Sequence, residues 1–261
     1  MRVQRLAEKG WKTLNRIEQR LRIARITENN ANVILKYHSI GSHSYGNQDL
    51  SRFASNIEYL TTHYQINNLF EVVMDANSNQ KQIALTFDDG YRDFYENVYP
   101  ILKEHEVPAT VFIIGATLTD DHQFSDRNKF KNKKFITQPQ VREFVESDLI
   151  RIGAHTMSHP FLSELNREKQ HQEIREAKRY LESKFDTEIE AFCYPYGDYS
   201  DETVELAERY FKIAVTSDHG FIKCNEKLAQ MPRISGNQEN IAINMTDIGN
   251  KVKQFGSFIL G

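Results

Sequence analysis

Six short apolar runs, separated by stretches of helical period, constrain this chain more than any other feature. Val33–Tyr37, Ile83–Phe87, Ala109–Ile114, Leu149–Ala154, Ala191–Tyr194 and Lys212–Thr216 read as strands. Between them Leu50–Thr61, Phe94–His105, Gln138–Glu146, Glu168–Phe185 and Asp201–Tyr210 carry apolar residues at helical spacing, the first behind the cap-competent Asp49 or Ser51. Strands this short alternating with helices imply βαβ units and a parallel sheet. With six or seven such units the expected fold is α/β, a distorted or incomplete (β/α) barrel. Residues 117–137 are polar and lysine-rich without a clear period and read as a long surface loop.

The first residues stand apart from this pattern. Residues 1–26 hold eight Lys or Arg and two Glu, a net +6 in a chain whose formal charge is −3. Val3, Leu6, Trp11, Leu14, Ile17 and Leu21 fall along one helical face. The expectation is a basic amphipathic helix over residues 1–30, followed by one domain over 31–261. Such a helix either packs on the domain or makes peripheral contact with an anionic membrane surface. The overall negative charge argues against nucleic acid as a partner. The two cysteines, Cys193 and Cys224, form neither a disulfide framework nor a cysteine zinc site. No apolar signal region or membrane-length apolar run is seen, so a cytoplasmic protein is expected, peripheral at most on the inner face of the membrane.

Reactive side chains collect where strands end. His38 follows the first strand, Asp88 and Asp89 the second, His155 the fourth, and Cys193-Tyr194-Pro195-Tyr196-Gly197 closes the fifth. Barrels and open α/β sheets build their sites at the carboxyl ends of strands. Asp88-Asp89-Gly90 alone reads more readily as a solvated turn than as a site. His155 and His159, at i and i+4, can share one face on a tight loop or single turn limited by Pro160. Taken together, two imidazoles and one carboxylate make a three-ligand divalent metal site with open positions, which is catalytic rather than structural. The other carboxylate is then free to act as a base. Zinc is the default for such a set, with cobalt, nickel and iron also able to bind.

Thr86–Gly90, His155–His159 and Tyr194–Gly197 resemble, in order and setting, the first three motifs of the polysaccharide deacetylase (NodB-homology) family. The resemblance covers about residues 31–235. It implies a metal-dependent carbohydrate de-N-acetylase on a distorted (β/α) barrel. By the same resemblance Asp88 is the general base that activates the attacking water, and Asp89, His155 and His159 hold the metal. The backbone N–H of Tyr91 helps stabilise the oxyanion. Tyr194, Pro195 and Tyr196 are expected to form the wall against which a sugar ring stacks.

Two departures accompany the resemblance. Cys193 stands where many members carry an arginine that contacts the base, and Arg233, in Met231-Pro232-Arg233-Ile234, is the candidate replacement. The late Leu-x-His element that supplies the general acid is missing. His38, in Leu35-Lys36-Tyr37-His38, resembles the early Tyr-His element of a branch whose motifs look circularly permuted, which makes it the expected acid. First and last strands of a barrel are spatial neighbours, so such a permutation is geometrically sound. The expected reaction removes N-acetyl groups from a glycan or lipid-linked sugar and releases acetate. The alternatives are deformylation or other amide hydrolysis at the same site, and a sugar-binding homologue without activity.

Overall fold

A computed structural model of the chain describes residues 32–41, 48–75, 81–120, 124–125, 129–223 and 226–236. The expected helix over residues 1–30, and with it the membrane-contact expectation for residues 1–26, lies outside them. Among the described residues no helix is long and apolar enough to cross a membrane.

Eight strands form one sheet: β1 (Val33–Tyr37), β2 (Gln65–Ile66), β3 (Gln82–Phe87), β4 (Ala109–Ile113), β5 (Ile150–Ala154), β6 (Ala191–Cys193), β7 (Ile213–Val215) and β8 (Ile234–Ser235). Their order is β7-β6-β5-β4-β3-β1-β8, with β2 beside β3. The ladders from β1 through β7 are parallel. Helices Leu50–His63, Leu69–Met74, Gln138–Glu146, Arg167–Phe185 and Asp201–Tyr210 connect them. The result is the incomplete (β/α) barrel that the strand–helix alternation predicts.

Register decides what the barrel holds. Paired residues of parallel neighbours share a face, and faces alternate along each strand. Ile34 pairs with Ala84, Thr86 with Thr110, Phe112 with Gly153, and Ala191 and Cys193 with Ile213 and Val215. Ile34, Ala84, Phe112, Ala191, Cys193, Ile213 and Val215 meet in one buried cluster, closed from below by Leu69, Val72 and Val73 of a helix not expected from the sequence. Asn32 ties that helix down, donating to the carbonyls of Val72 and Asp75 at 2.8 and 3.1 Å. A Cβ on Gly153 would come within 2.6 Å of the Phe112 ring, so only glycine admits that ring here. Continuing the same alternation past the strand ends turns His38, Asp88 and His155 inward, onto the carboxyl-terminal mouth.

Two local features differ from expectation. The helix read over Phe94–His105 opens with a π-helical turn, Phe94–Val98, before the α-helix Tyr99–Glu104. Pro100 has no N–H for the i−4 carbonyl, and the wider turn, closed by the Tyr99 N–H to the Phe94 carbonyl, absorbs the break. The stretch 117–137 is not simply a surface loop. Phe130, Phe135 and Ile136 are buried, and the two phenylalanines pack with Tyr91, Ile114 and Ala116. Its aromatics are spaced irregularly among lysines, so they carry no period that a sequence reading can register.

Candidate active site

The Asp88–Gly90 turn owes its shape to two consecutive left-handed residues, Asp89 at φ 69° and Gly90 at φ 67°. Aspartate tolerates this region better than most residues, and glycine adopts it freely. The turn breaks the strand alternation, so both neighbouring carboxylates enter one cavity. The Asp88 N–H donates to the Tyr37 carbonyl at 2.9 Å, which anchors the turn to β1. Beyond it, the Ile136 N–H donates to the Gly90 carbonyl and the Arg92 N–H to the Lys134 carbonyl, at 3.0 and 2.9 Å. In that antiparallel bridge the Tyr91 amide is turned away from residues 134–136.

His155 and His159 sit on a tight loop rather than a helical turn, with Thr156 and His159 both at positive φ. A β-branched residue there is strained and must be held by its surroundings. The holding groups are all visible. Gly115 and Ala116 donate N–H bonds to the Thr156 and Met157 carbonyls at 3.0 and 2.8 Å. Glu173, from helix Arg167–Phe185, accepts from the Met157 and Ser158 amides at 2.9 and 2.8 Å and from the Ser158 hydroxyl at 2.6 Å. The Thr156 hydroxyl accepts from the His159 N–H at 3.0 Å. Ser125 donates to the His159 carbonyl.

The ring nitrogens converge on Asp89. His155 Nδ1 lies 2.7 Å from the Cys193 carbonyl, which can only accept, so the proton is on Nδ1 and the Nε2 lone pair faces inward. His155 Nε2 and His159 Nε2 are 3.4 and 3.3 Å from Asp89 Oδ1. Both Asp89 oxygens are buried with no hydrogen-bond donor among the described residues. Buried carboxylates are rarely left so, and three electron-rich atoms facing one another call for a cation between them. The ligating atoms of these three residues lie within 4.8 Å of one another. The set therefore fits a divalent metal. Burial pushes His159 down to about 4, which keeps its imidazole neutral and its lone pair available. For His155 burial opposes the charge, but Cys193 and the carboxylates outweigh it, so a proton and a cation compete for the same nitrogen.

Asp88 is arranged differently. The buried guanidinium of Arg233 grips it in a fork, Nη1 to Oδ1 at 2.7 Å and Nη2 to Oδ2 at 2.8 Å. Arg233 is itself fixed by the Thr216 carbonyl, the Thr86 hydroxyl and Cys193 Sγ, at 2.7, 3.1 and 3.2 Å. Its neighbour Met231 bridges to β7 at Val215, which brings the segment across the barrel mouth. Burial raises the Asp88 carboxyl, but the arginine overcomes that and holds it well below the usual carboxylate range. The small Cys193 side chain leaves room for the guanidinium. On the other side His38 Nε2 stands 3.8 Å from Asp88 Oδ2, its side chain 22% exposed. Burial lowers the His38 pKa against the pull of Asp88.

The expected sugar wall needs correction. Tyr194 is 0% exposed, its hydroxyl donating to the Ala229 carbonyl at 2.9 Å, and Pro195 is buried too. Neither can offer a face to a ligand, because the chain turns inward after β6 and Tyr194 packs edge-on against Phe192. Tyr196 alone reaches the mouth, with its ring 4.5 Å from that of His159. The residue missed in the sequence is Glu173, which lies in an ordinary amphipathic helix and gives no local signal of its hold on the His155–His159 loop.

The sequence pattern of the polysaccharide deacetylase family matches residues 75–211. YxkH of Bacillus subtilis (strain 168), named for the same family, is 28% identical over 207 residues, covering 77% of this chain and 70% of its own length. The poly-β-1,6-N-acetyl-D-glucosamine N-deacetylase of Staphylococcus aureus (strain MRSA252) is 24% identical over 197 residues, 70% of this chain and 66% of that enzyme. Among solved structures, the Streptococcus pyogenes deacetylase PplD in complex with acetate superposes with a TM-score of 0.67 at 26% identity, covering 82% of this chain and 98% of PplD. With a family pattern spanning more than half of its residues and the motif carboxylates and imidazoles gathered at one barrel mouth, the chain belongs to the polysaccharide deacetylase family.

Proposed function

We propose that the protein is a metal-dependent hydrolase that removes N-acetyl groups from an amino-sugar glycan and releases acetate. One observation carries this reading: a buried Asp89–His155–His159 set lies beside a second carboxylate that is held by an arginine instead of joining the set. A pure binding site has no use for a charged base clamped next to ligating groups. The relatives support the substrate class, since the staphylococcal one is named for deacetylating an N-acetylglucosamine polymer and PplD was captured with acetate.

Asp89, His155 and His159 would hold the ion, with zinc the best match to two imidazoles and one carboxylate. When bound, the ion supplies acidification of water and polarisation of the acetamide carbonyl. Asp88, kept ionised by Arg233, accepts a proton from the attacking water. Held below the usual carboxylate range, it would act on a water that a bound ion acidifies. The Tyr91 amide, turned from residues 134–136, is positioned to meet negative charge on the carbonyl oxygen. His38, across Asp88 and partly open to solvent, protonates the departing amine.

Treating the protein with a chelator should abolish acetate release from N-acetylglucosamine oligomers, and adding back zinc or cobalt should restore it. Undiminished activity in the chelated protein, or none with any metal on glycan, lipid-linked or formamido substrates, would defeat the reading. His38→Ala should lower turnover by about 10²-fold while leaving metal content unchanged. Metal loss in that variant would make His38 a ligand instead.

A further inference from the structure

Around Tyr196 the structure builds a layered stack. The Phe161 ring lies 3.9 Å from the Tyr196 ring and nearly parallel to it, at 8°. Lys129 Nζ sits over the same tyrosine, 4.2 Å from its centroid. A ring at 3.9 Å and an ammonium at 4.2 Å cannot occupy one face together, so they cover opposite faces. Tyr196 is thus packed between Phe161 and Lys129, with the His159 ring 4.5 Å away, and only part of it is exposed. Among the described residues, the aromatic side chain left most open beside Tyr196 is Phe161, 44% exposed.

We propose that the outer face of Phe161 is the stacking platform for a pyranose ring next to the one that reacts, making Phe161 a determinant of preference for oligomers over single sugars. This rests on the reading that the site deacetylates a glycan. A single exposed aromatic carries no meaning by itself; Phe161 does because it is stacked onto the ring that borders His159. A pyranose presents a flat array of C–H bonds to the negative face of an aromatic ring, which suits such a platform. Continuity with the site is direct: ring-to-ring steps of 4.5 and 3.9 Å lead from His159 through Tyr196 to Phe161. The platform is also rigid. The Asp198 carboxylate accepts from the Ser163 N–H and hydroxyl, both at 2.7 Å, which locks the loop after β5 to the loop after β6. A pre-set surface spends little of its binding energy on ordering itself.

The test compares Phe161→Ala and Phe161→Trp with the parent protein. Substrates are N-acetylglucosamine, its dimer and tetramer, and an aryl acetate too small to reach the platform. Phe161→Ala should raise KM for the tetramer about five- to tenfold with kcat unchanged, and leave the single sugar and aryl acetate unaffected. Phe161→Trp should restore tetramer affinity. Calorimetric binding of the tetramer to each variant gives the same comparison without turnover, so a protein inactive on every substrate would defeat the deacetylase reading while the platform is still judged. An equal loss on all substrates would assign Phe161 a structural role and overturn the proposal. So would unchanged tetramer binding, or a Phe161→Ala effect confined to self-association in sedimentation.

Discussion

Arg233→Met should cost roughly 3–5 kcal/mol of stability in urea denaturation, because it leaves the Asp88 carboxylate buried without its partner. Both members of the pair are inaccessible and the fork is bidentate, and His38, 3.8 Å from Asp88 Oδ2, makes no equivalent pair. Turnover should fall with it, since an unpaired Asp88 is driven by burial toward its protonated form and can no longer accept a proton. The double variant Asp88→Asn/Arg233→Met should recover a large part of the stability while remaining inactive, because no buried charge is then left unmatched. A double variant no more stable than Arg233→Met would show that the loss comes from packing alone. The Cys193 thiol, 3.2 Å from the guanidinium, is part of the same arrangement, and its small volume is what lets an arginine enter from the far edge of the sheet.

Asp88→Asn by itself should lower turnover by about 10²- to 10⁴-fold, the usual worth of a positioned proton acceptor. Its metal content, measured by elemental analysis, should match the parent. The amide oxygen still accepts from one Arg233 nitrogen, but the buried guanidinium loses its counter-charge and the amide N–H₂ faces its other nitrogen, so stability should fall as well, and turnover is compared at equal folded fraction. This experiment also separates two candidate metal sets, because Asp88, His155 and Cys193 lie close enough together to be considered alongside Asp89, His155 and His159. Loss of metal from Asp88→Asn would favour the former and remove Asp88 as the base. The orphaned oxygens of Asp89, against the saturated ones of Asp88, support the latter.

The barrel was legible because its signals are local. Each strand is a run of apolar residues, each helix repeats at its own period, and both kinds of pattern are written within a dozen residues. The placement of Asp88, Asp89, His155 and His159 at strand ends follows from the same patterns, together with the rule that sites gather at carboxyl ends. Arg233 could be named as a candidate charge, but nothing near it in sequence says what it touches. It meets Asp88 across 145 positions, and only the path of the last segment over the barrel mouth brings them together. The reading of Tyr194 and Pro195 as a sugar wall failed for the same reason. Exposure is set by what packs on a residue, and here Ala229 and Phe192 close over Tyr194.

What the sequence by itself determined is the set of chemical groups and the strand ends that carry them, because side-chain type and periodicity survive without tertiary contacts. What only the tertiary structure decided is which partners the two adjacent carboxylates meet. One meets a guanidinium from the segment just before β8 and stays ionised with its lone pairs engaged. The other meets two imidazole lone pairs and is left with nothing but a cation to satisfy it. Neighbours in the chain acquire different chemistry because their partners arrive from different parts of the fold, and that arrival is a property of packing.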